Sequence, residues 1–266
     1  MSVIGLIAGN GRFPLLVAQE IRKRGDSVAL LALKEETDPS IEKLADSCEW
    51  ISVGQFQKLI DYFHSKHATT AIMAGQVKHS RLFEGLSLDW RAIKLMGKLV
   101  NKKTDSILGA VCGELSKEGI ALLPSHRYLS HLLADKGILA GPKLTKEEMG
   151  NITFGFDTAK AIAGLDIGQT VVVKDMAVVA VESIEGTDEC IRRGASYAKE
   201  GVIVAKVSKP AQDFRFDVPV IGLATINTLK DCKARAIAVE SGATLMIDKP
   251  DIISTANDAG ITIVAL

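Results

Sequence analysis

The sequence predicts an α/β protein of two domains, and three observations lead there. Short runs rich in Val, Ile, Leu and Ala alternate with segments whose apolar residues recur every three or four positions, the alternation that builds a parallel sheet flanked by helices. A glycine-bearing turn, GLIAGNGRFP, closes the first such run and opens the first helical segment. At 266 residues the chain is also longer than one domain usually needs to enclose a core.

Val3 to Ala8 is an apolar run of strand length. Pro14 to Arg24 follows with Leu15, Leu16, Ala18 and Ile21 at helical spacing, and Gly25 stops it. Ser27 to Leu33 is a second strand, Leu59 to His67 a helix and Thr70 to Ala74 a third strand, so residues 1–130 read as a Rossmann-like domain. Trp90 to Leu99 and Ser106 to Lys117 carry the steps of two further helices, ahead of a strand at Ile120 to Leu123. Residues 131–148 mix Gly, Pro and Lys with no sustained period, the composition of a linker. In the second domain, 149–266, Asn151 to Ala163 reads as a helix, Thr170 to Lys174 and Ala177 to Val181 as strands of a hairpin split by Asp175, and Cys190 to Lys199 as a helix. Gly201 to Val207, Thr244 to Ile247 and Ile261 to Val264 are further strands, with helices expected at Thr228 to Glu240 and Asp251 to Ala259.

Composition narrows the function classes. Thirty-two basic residues cancel 32 acidic ones, which removes any global electrostatic pull toward nucleic acid. Cys48, Cys112, Cys190 and Cys232 are scattered and form no CxxC pair, so neither a structural zinc site nor a disulfide framework is indicated, and a reducing cytoplasm is expected. The amino terminus is apolar for too few residues to be a signal segment or a membrane span, so any membrane contact is expected to be peripheral.

Four stretches carry candidate chemistry. GLIAGNGRFP places Ala8, Gly9, Asn10 and Gly11 between a strand and a helix, where backbone amides meet phosphates, although the spacing is not GxGxxG and a tight turn alone would also use glycine. AGQVKHSRLF repeats the pattern with Gly75 and adds the cations Lys78, His79 and Arg81. VESIEGTDECIRRG gathers Glu182, Glu185 and Asp188 around Thr187, near Arg192 and Arg193; Thr187 or Asp188 would cap the following helix, as Thr104 or Asp105 would cap an earlier one. KPAQDFRFDVP offers Lys209 and Arg215 to phosphate oxygens and Asp213 and Asp217 to Mg²⁺, the plainer alternative being an internal ion-pair loop. Phe154, Phe156, Ile162 and Met176 are read as core.

Taken together with DIGQTVVVKD, these motifs, in this order along nearly the whole chain, resemble the UDP-2,3-diacylglucosamine pyrophosphatase family LpxI. The resemblance implies a Rossmann-like amino-terminal domain and a carboxyl-terminal α/β domain of less common topology, with the ligand between them. It implies a hydrolase of lipid A biosynthesis that cleaves UDP-2,3-diacylglucosamine to UMP and 2,3-diacylglucosamine 1-phosphate (lipid X), water attacking the α-phosphorus. Mg²⁺ is the implied metal, with Mn²⁺ as an alternative. Location is implied to be cytoplasmic and peripheral to the inner membrane, and a homodimer is left open. Carried over by position, Asp217 is the essential carboxylate, with Arg215 and Asp213 as its catalytic companions and Asp217 and Asp188 as metal ligands. Ala8, Gly9, Asn10, Gly11, Gly75, Lys78, Thr187, Asp188, Lys209 and Gln212 are the implied substrate contacts. Two other classes stand against this one: a non-catalytic nucleotide-sugar or phospholipid binding protein, and a nicotinamide-dependent oxidoreductase.

Overall fold

The computed structural model describes residues 1–34, 36–77, 88–97, 99 and 103–266. The chain divides into one unit of Met1–Leu129 with Asp213–Asp217, and another of Ser130–Gln212 with Val218–Leu266.

The first unit is built on a five-stranded parallel sheet of order β3-β2-β1-β4-β5. Its strands are β1 (Val3–Ala8), β2 (Ser27–Leu33), β3 (Ser47–Ile51), β4 (Thr70–Ala74) and β5 (Ala121–Leu122), joined through α1 (Phe13–Lys23), a 3₁₀ turn at Pro39–Leu44, α2 (Phe56–Ser65), α3 (Trp90–Met96) and α4 (Thr104–Lys117). β1 and β2 are buried along almost their whole length, the pattern of parallel strands covered on both faces. Gly25 ends α1 as the sequence predicts: at φ +82° it takes the left-handed position past the helix, and its amide reaches the Arg22 carbonyl at 2.9 Å.

The second unit carries a six-stranded sheet of order β6-β13-β11-β9-β7-β8, and a separate parallel pair of β10 and β12. The elements are β6 (Gly137–Ala140), α5 (Lys146–Gly164), β7 (Thr170–Lys174), β8 (Ala177–Val181), α6 (Thr187–Ala198), β9 (Ile203–Lys206), β10 (Val220–Ile221), α7 (Leu223–Asp231), β11 (Ala236–Val239), β12 (Leu245–Met246), α8 (Lys249–Asp258) and β13 (Thr262–Ala265). β9, β11 and β13 run parallel, while β6 and β7 pair antiparallel on either side of that trio. Successive side chains point to opposite faces, so Val171 and Val173 pack with Ile152 and Ala159 of α5, whereas Val172 packs with Cys190 and Ile191 of α6. Asp175 and Met176, both at positive φ, make the tight hairpin turn between β7 and β8, and the buried Asn151 of α5 pins it by accepting the Met176 amide at 2.7 Å.

Three sequence expectations change. The helix expected at Thr228 to Glu240 is two elements: α7 starts earlier and stops at Asp231, Lys233 takes φ +50°, and Ala236–Val239 is the buried strand β11. Burial on both faces overrides the helix propensity of this Ala-rich run. The stretch 131–148 is more than a linker, since it contributes the edge strand β6 and the start of α5, whose capping box joins Thr145 and Glu148. Phe154, Phe156 and Ile162 do pack against the core, but Met176 is 55% exposed at the hairpin tip.

Gly194 sets the separation of α6 from the sheet: a Cβ there would stand 2.7 Å from Val172 Cγ1. Alanine gains up to ~1 kcal/mol of helix propensity over glycine, but forced overpacking of a core typically costs ~1–3 kcal/mol. Gly194→Ala should therefore lower the thermal midpoint despite the better helix former; an unchanged or raised midpoint in a calorimetric scan would contradict this packing account.

Candidate functional site

In the first unit, the loops after β1 and β4 are stitched together. Gly9 N donates to the Ala74 carbonyl at 2.8 Å, and Asn10 and Gln76 exchange amide-to-carbonyl bonds at 2.7 and 3.0 Å. No other residue fits this seam: a Cβ on Gly9 would lie 2.5 Å from the Gln76 oxygen, and one on Gly75, at φ +91°, 2.6 Å from the Asn10 oxygen. The Ala8 carbonyl accepts the buried Thr37 hydroxyl at 2.5 Å. The amides of Gly9 and Asn10 are thus engaged within the protein. Asn10 and Gly11 are the exposed corner of the loop, with open space at Gly11 where a Cβ would stand. Lys78, His79 and Arg81 lie outside the described residues.

Asp213–Asp217 form a compact turn seated on the loop after β5. Ser125 fixes it twice, its amide donating to the Phe214 carbonyl at 2.7 Å and its hydroxyl to the Arg215 carbonyl at 2.8 Å. The His126 ring meets Phe214 edge-on at 5.4 Å between centroids. Arg215 grips Asp213 in a fork, Nε to Oδ1 at 2.9 Å and Nη2 to Oδ2 at 2.6 Å, so this part of the loop does contain the internal ion pair that its composition allowed. The guanidinium holds the Asp213 carboxyl below its ordinary value. The Asp217 amide donates to the Asp213 carbonyl at 3.1 Å, closing the turn.

In the second unit, the polar groups sit where β8 and β9 end and α6 begins. Gly186, at φ +83°, is the N-cap of α6, leaving Thr187 and Asp188 in its first turn instead of capping it; Lys103 likewise takes the N-cap of α4 ahead of Thr104 and Asp105. Lys206 Nζ donates to Thr187 Oγ1 at 2.6 Å, and Thr187 Oγ1 donates to Glu182 Oε1 at 2.9 Å. Asp188 Oδ1 accepts the Thr225 hydroxyl at 2.9 Å. Glu185 pairs with Arg193, and Arg192 with Glu189. Lys209 Nζ pairs with Asp166 at 2.7 Å, and its amide donates to Gln212 Oε1 at 2.6 Å. Lys206 was not among the residues picked from sequence; its signal is a lone charge at the carboxyl end of a buried strand, where open sheets place ligands. Ser125 and Thr225 offered no such signal.

The carboxylates present are hard oxygen donors of the kind Mg²⁺ takes, and Mg²⁺ is commonly held by one or two carboxylates together with substrate phosphates. Among the described residues no three His, Cys, Asp or Glu side chains gather as a metal-binding group. The four cysteines are free, and burial pushes the Cys112 and Cys190 thiols up to about 11 and about 12, so neither offers a ready thiolate.

Residues 3–132 match the LpxI N-terminal domain and residues 135–264 the LpxI C-terminal domain. UDP-2,3-diacylglucosamine pyrophosphatase LpxI of Caulobacter vibrioides is 31% identical over 278 residues, spanning 100% of this chain and 98% of that protein.

The Asp213–Arg215 fork makes a prediction in acid. A carboxyl depressed in the folded state contributes stability that is present above its unfolded value, about 4 for Asp, and is lost as pH falls through the folded value. In Arg215→Met, NMR titration should find Asp213 moved up toward that ordinary value, with the associated loss of stability beginning at higher pH. An Asp213 titration identical in the two proteins would mean the fork does not form in solution.

Proposed function

Since the chain belongs to the LpxI family, we propose that it hydrolyses the pyrophosphate of UDP-2,3-diacylglucosamine, with water attacking the α-phosphorus to yield UMP and 2,3-diacylglucosamine 1-phosphate. The observation that carries this reading is the end-to-end match to one pyrophosphatase, which takes in both domains and every motif described above. The oxygen bridging the two phosphorus atoms leaves with the sugar phosphate, and the incoming water oxygen stays on UMP.

The protein's part in this reaction is to neutralise phosphate charge, hold the reacting phosphorus and orient water. Bound Mg²⁺ would add charge neutralisation on the phosphates. Asp217 is the proposed carboxylate for that metal or for the attacking water, and Asp188 the corresponding candidate of the second unit. Arg215 is proposed to bind a phosphate oxygen. The fork to Asp213 uses Nε and Nη2, so the contact falls to Nη1, and Asp213 serves to orient the guanidinium. Thr187, Lys206, Lys209 and Gln212 supply further donors for phosphate oxygens. The two acyl chains keep such a substrate at a bilayer surface, so we also propose peripheral contact with the inner membrane; no described helix is long and apolar enough to cross one.

Incubating the protein with UDP-2,3-diacylglucosamine and Mg²⁺ should release UMP, whereas a binding protein or an oxidoreductase would release none. Chelation with EDTA should abolish turnover, and full activity after exhaustive chelation would remove the metal from the mechanism. Run in ¹⁸O-water, the reaction should label UMP; label in the sugar phosphate would place the attack on the other phosphorus. Asp217→Ala should lower kcat by at least ~10²-fold with folding intact, the order expected when a positioned base or transition-state contact is lost. Near-normal turnover of that variant at saturating Mg²⁺ would assign the turn a structural role only.

A further inference from the structure

The carboxyl ends of β9 and β11 carry a polar cluster that the reaction scheme leaves unused. Glu240 follows β11 directly, Ser208 stands just past β9, and Lys160 lies in the last part of α5. The Ser208 amide and hydroxyl both donate to Glu240 Oε2, at 2.8 and 2.6 Å. Lys160 Nζ donates to both Glu240 oxygens at 2.8 Å and to the Ser208 carbonyl at 3.0 Å. Behind them, the Glu240 amide donates to Thr244 Oγ1 at 3.2 Å. Ser208 is buried, and the Lys160 and Glu240 side chains are 30% and 22% exposed. Burial by itself would raise the Glu240 carboxyl, but Lys160 and the two Ser208 donors outweigh it and hold it below its usual value.

Lys160 and Glu240, themselves paired, both bond Ser208. A largely buried ion pair is a weak source of stability compared with apolar residues of the same volume, whereas removing either partner strands a charge; fixing one conformation is a role that suits it. The conformation being fixed is that of the segment after β9. Its next residue, Lys209, pairs with Asp166 beyond the end of α5, and Pro210 lies against Gly164, where a Cβ would stand 3.6 Å from Pro210 Cγ. The segment then folds on itself, Gln212 N donating to the Lys209 carbonyl at 3.1 Å and Lys209 N to Gln212 Oε1 at 2.6 Å. Glu240, Lys160 and the end of α5 thus hold Ser208 to Pro210, and Gln212 is tied back to Lys209.

We propose that Glu240 and Lys160 are positioning residues: acting through Ser208, they hold Lys209 and Gln212 in the arrangement that receives the substrate's phosphates. The inference rests on the reading that Lys209 and Gln212 are phosphate contacts, and neither Glu240 nor Lys160 touches the reacting atoms. A purely structural network would lower stability and activity independently of Lys209. A positioning network loses its effect once Lys209 is gone.

A double-mutant cycle separates these. Glu240→Gln, Lys209→Ala and the double variant are compared for kcat/KM and, by calorimetry, for UMP affinity. Glu240→Gln alone should lower kcat/KM by about tenfold, the scale of a lost charge-assisted hydrogen bond, mainly through KM. In the Lys209→Ala background it should change kcat/KM less than about twofold, because the two act as one unit. Lys160→Met removes the cation while leaving Glu240 in place, and should show the same coupling to Lys209→Ala if Glu240→Gln folds poorly. Additive losses in both cycles, or single variants with wild-type kcat/KM and UMP affinity, would overturn the proposal. If wild-type protein releases no UMP from the substrate, the hydrolase reading fails and the UMP-binding cycle still decides this inference; wild-type protein that binds no UMP overturns it.

Discussion

A parallel strand covered by helices on both faces cannot carry polar side chains along its length, and that constraint organises each unit of this protein. Buried polar groups without partners are expensive, so the polar residues collect where the strands stop. Ala8, Gly9 and Gly75 mark the ends of β1 and β4; Lys206 and Ser208 mark the end of β9, and Glu240 that of β11. At each place the backbone leaves the sheet, and its amides and carbonyls need new partners. The glycine seam between the β1 and β4 loops meets that need with backbone alone. The Lys160–Ser208–Glu240 cluster meets it with side chains.

The engagement of these groups has a chemical consequence. Charged residues in the candidate regions are held by neighbours: Arg215 by Asp213, Lys206 by Thr187, Lys209 by Asp166, Glu185 by Arg193. A side chain already held by a neighbour has little rotamer freedom left to lose.

The strands were the most legible part of the sequence, because β-branched and apolar runs bounded by glycine have few other readings. Val3–Ala8, Ser27–Leu33, Thr70–Ala74, Thr170–Lys174 and Ala177–Val181 run as the residues indicated. Where the reading went astray, local composition was at odds with burial. The Ala-rich segment after Asp231 has helix propensity yet lies at the centre of a sheet, and Thr145 with Glu148 spells a capping box that the surrounding Gly, Pro and Lys obscured. Of the candidate site, the motifs could be located but their bonds could not: nothing local links Ser125 to the 213–217 turn, 90 residues separating its hydroxyl from the Arg215 carbonyl it bonds.

What the sequence by itself determined is therefore the alternation of strand and helix, the glycine turns and the family motifs, since each depends on residues close together in the chain. Only the tertiary structure decided which polar groups are partners. It assigned Asp213–Asp217 to the first unit while the flanking Lys209–Gln212 stayed with the second, and it closed the Lys160–Ser208–Glu240 cluster from three separate elements. The physical reason is that a hydrogen bond or an ion pair is set by distance in space, and strands far apart in sequence become neighbours only when the sheet is formed.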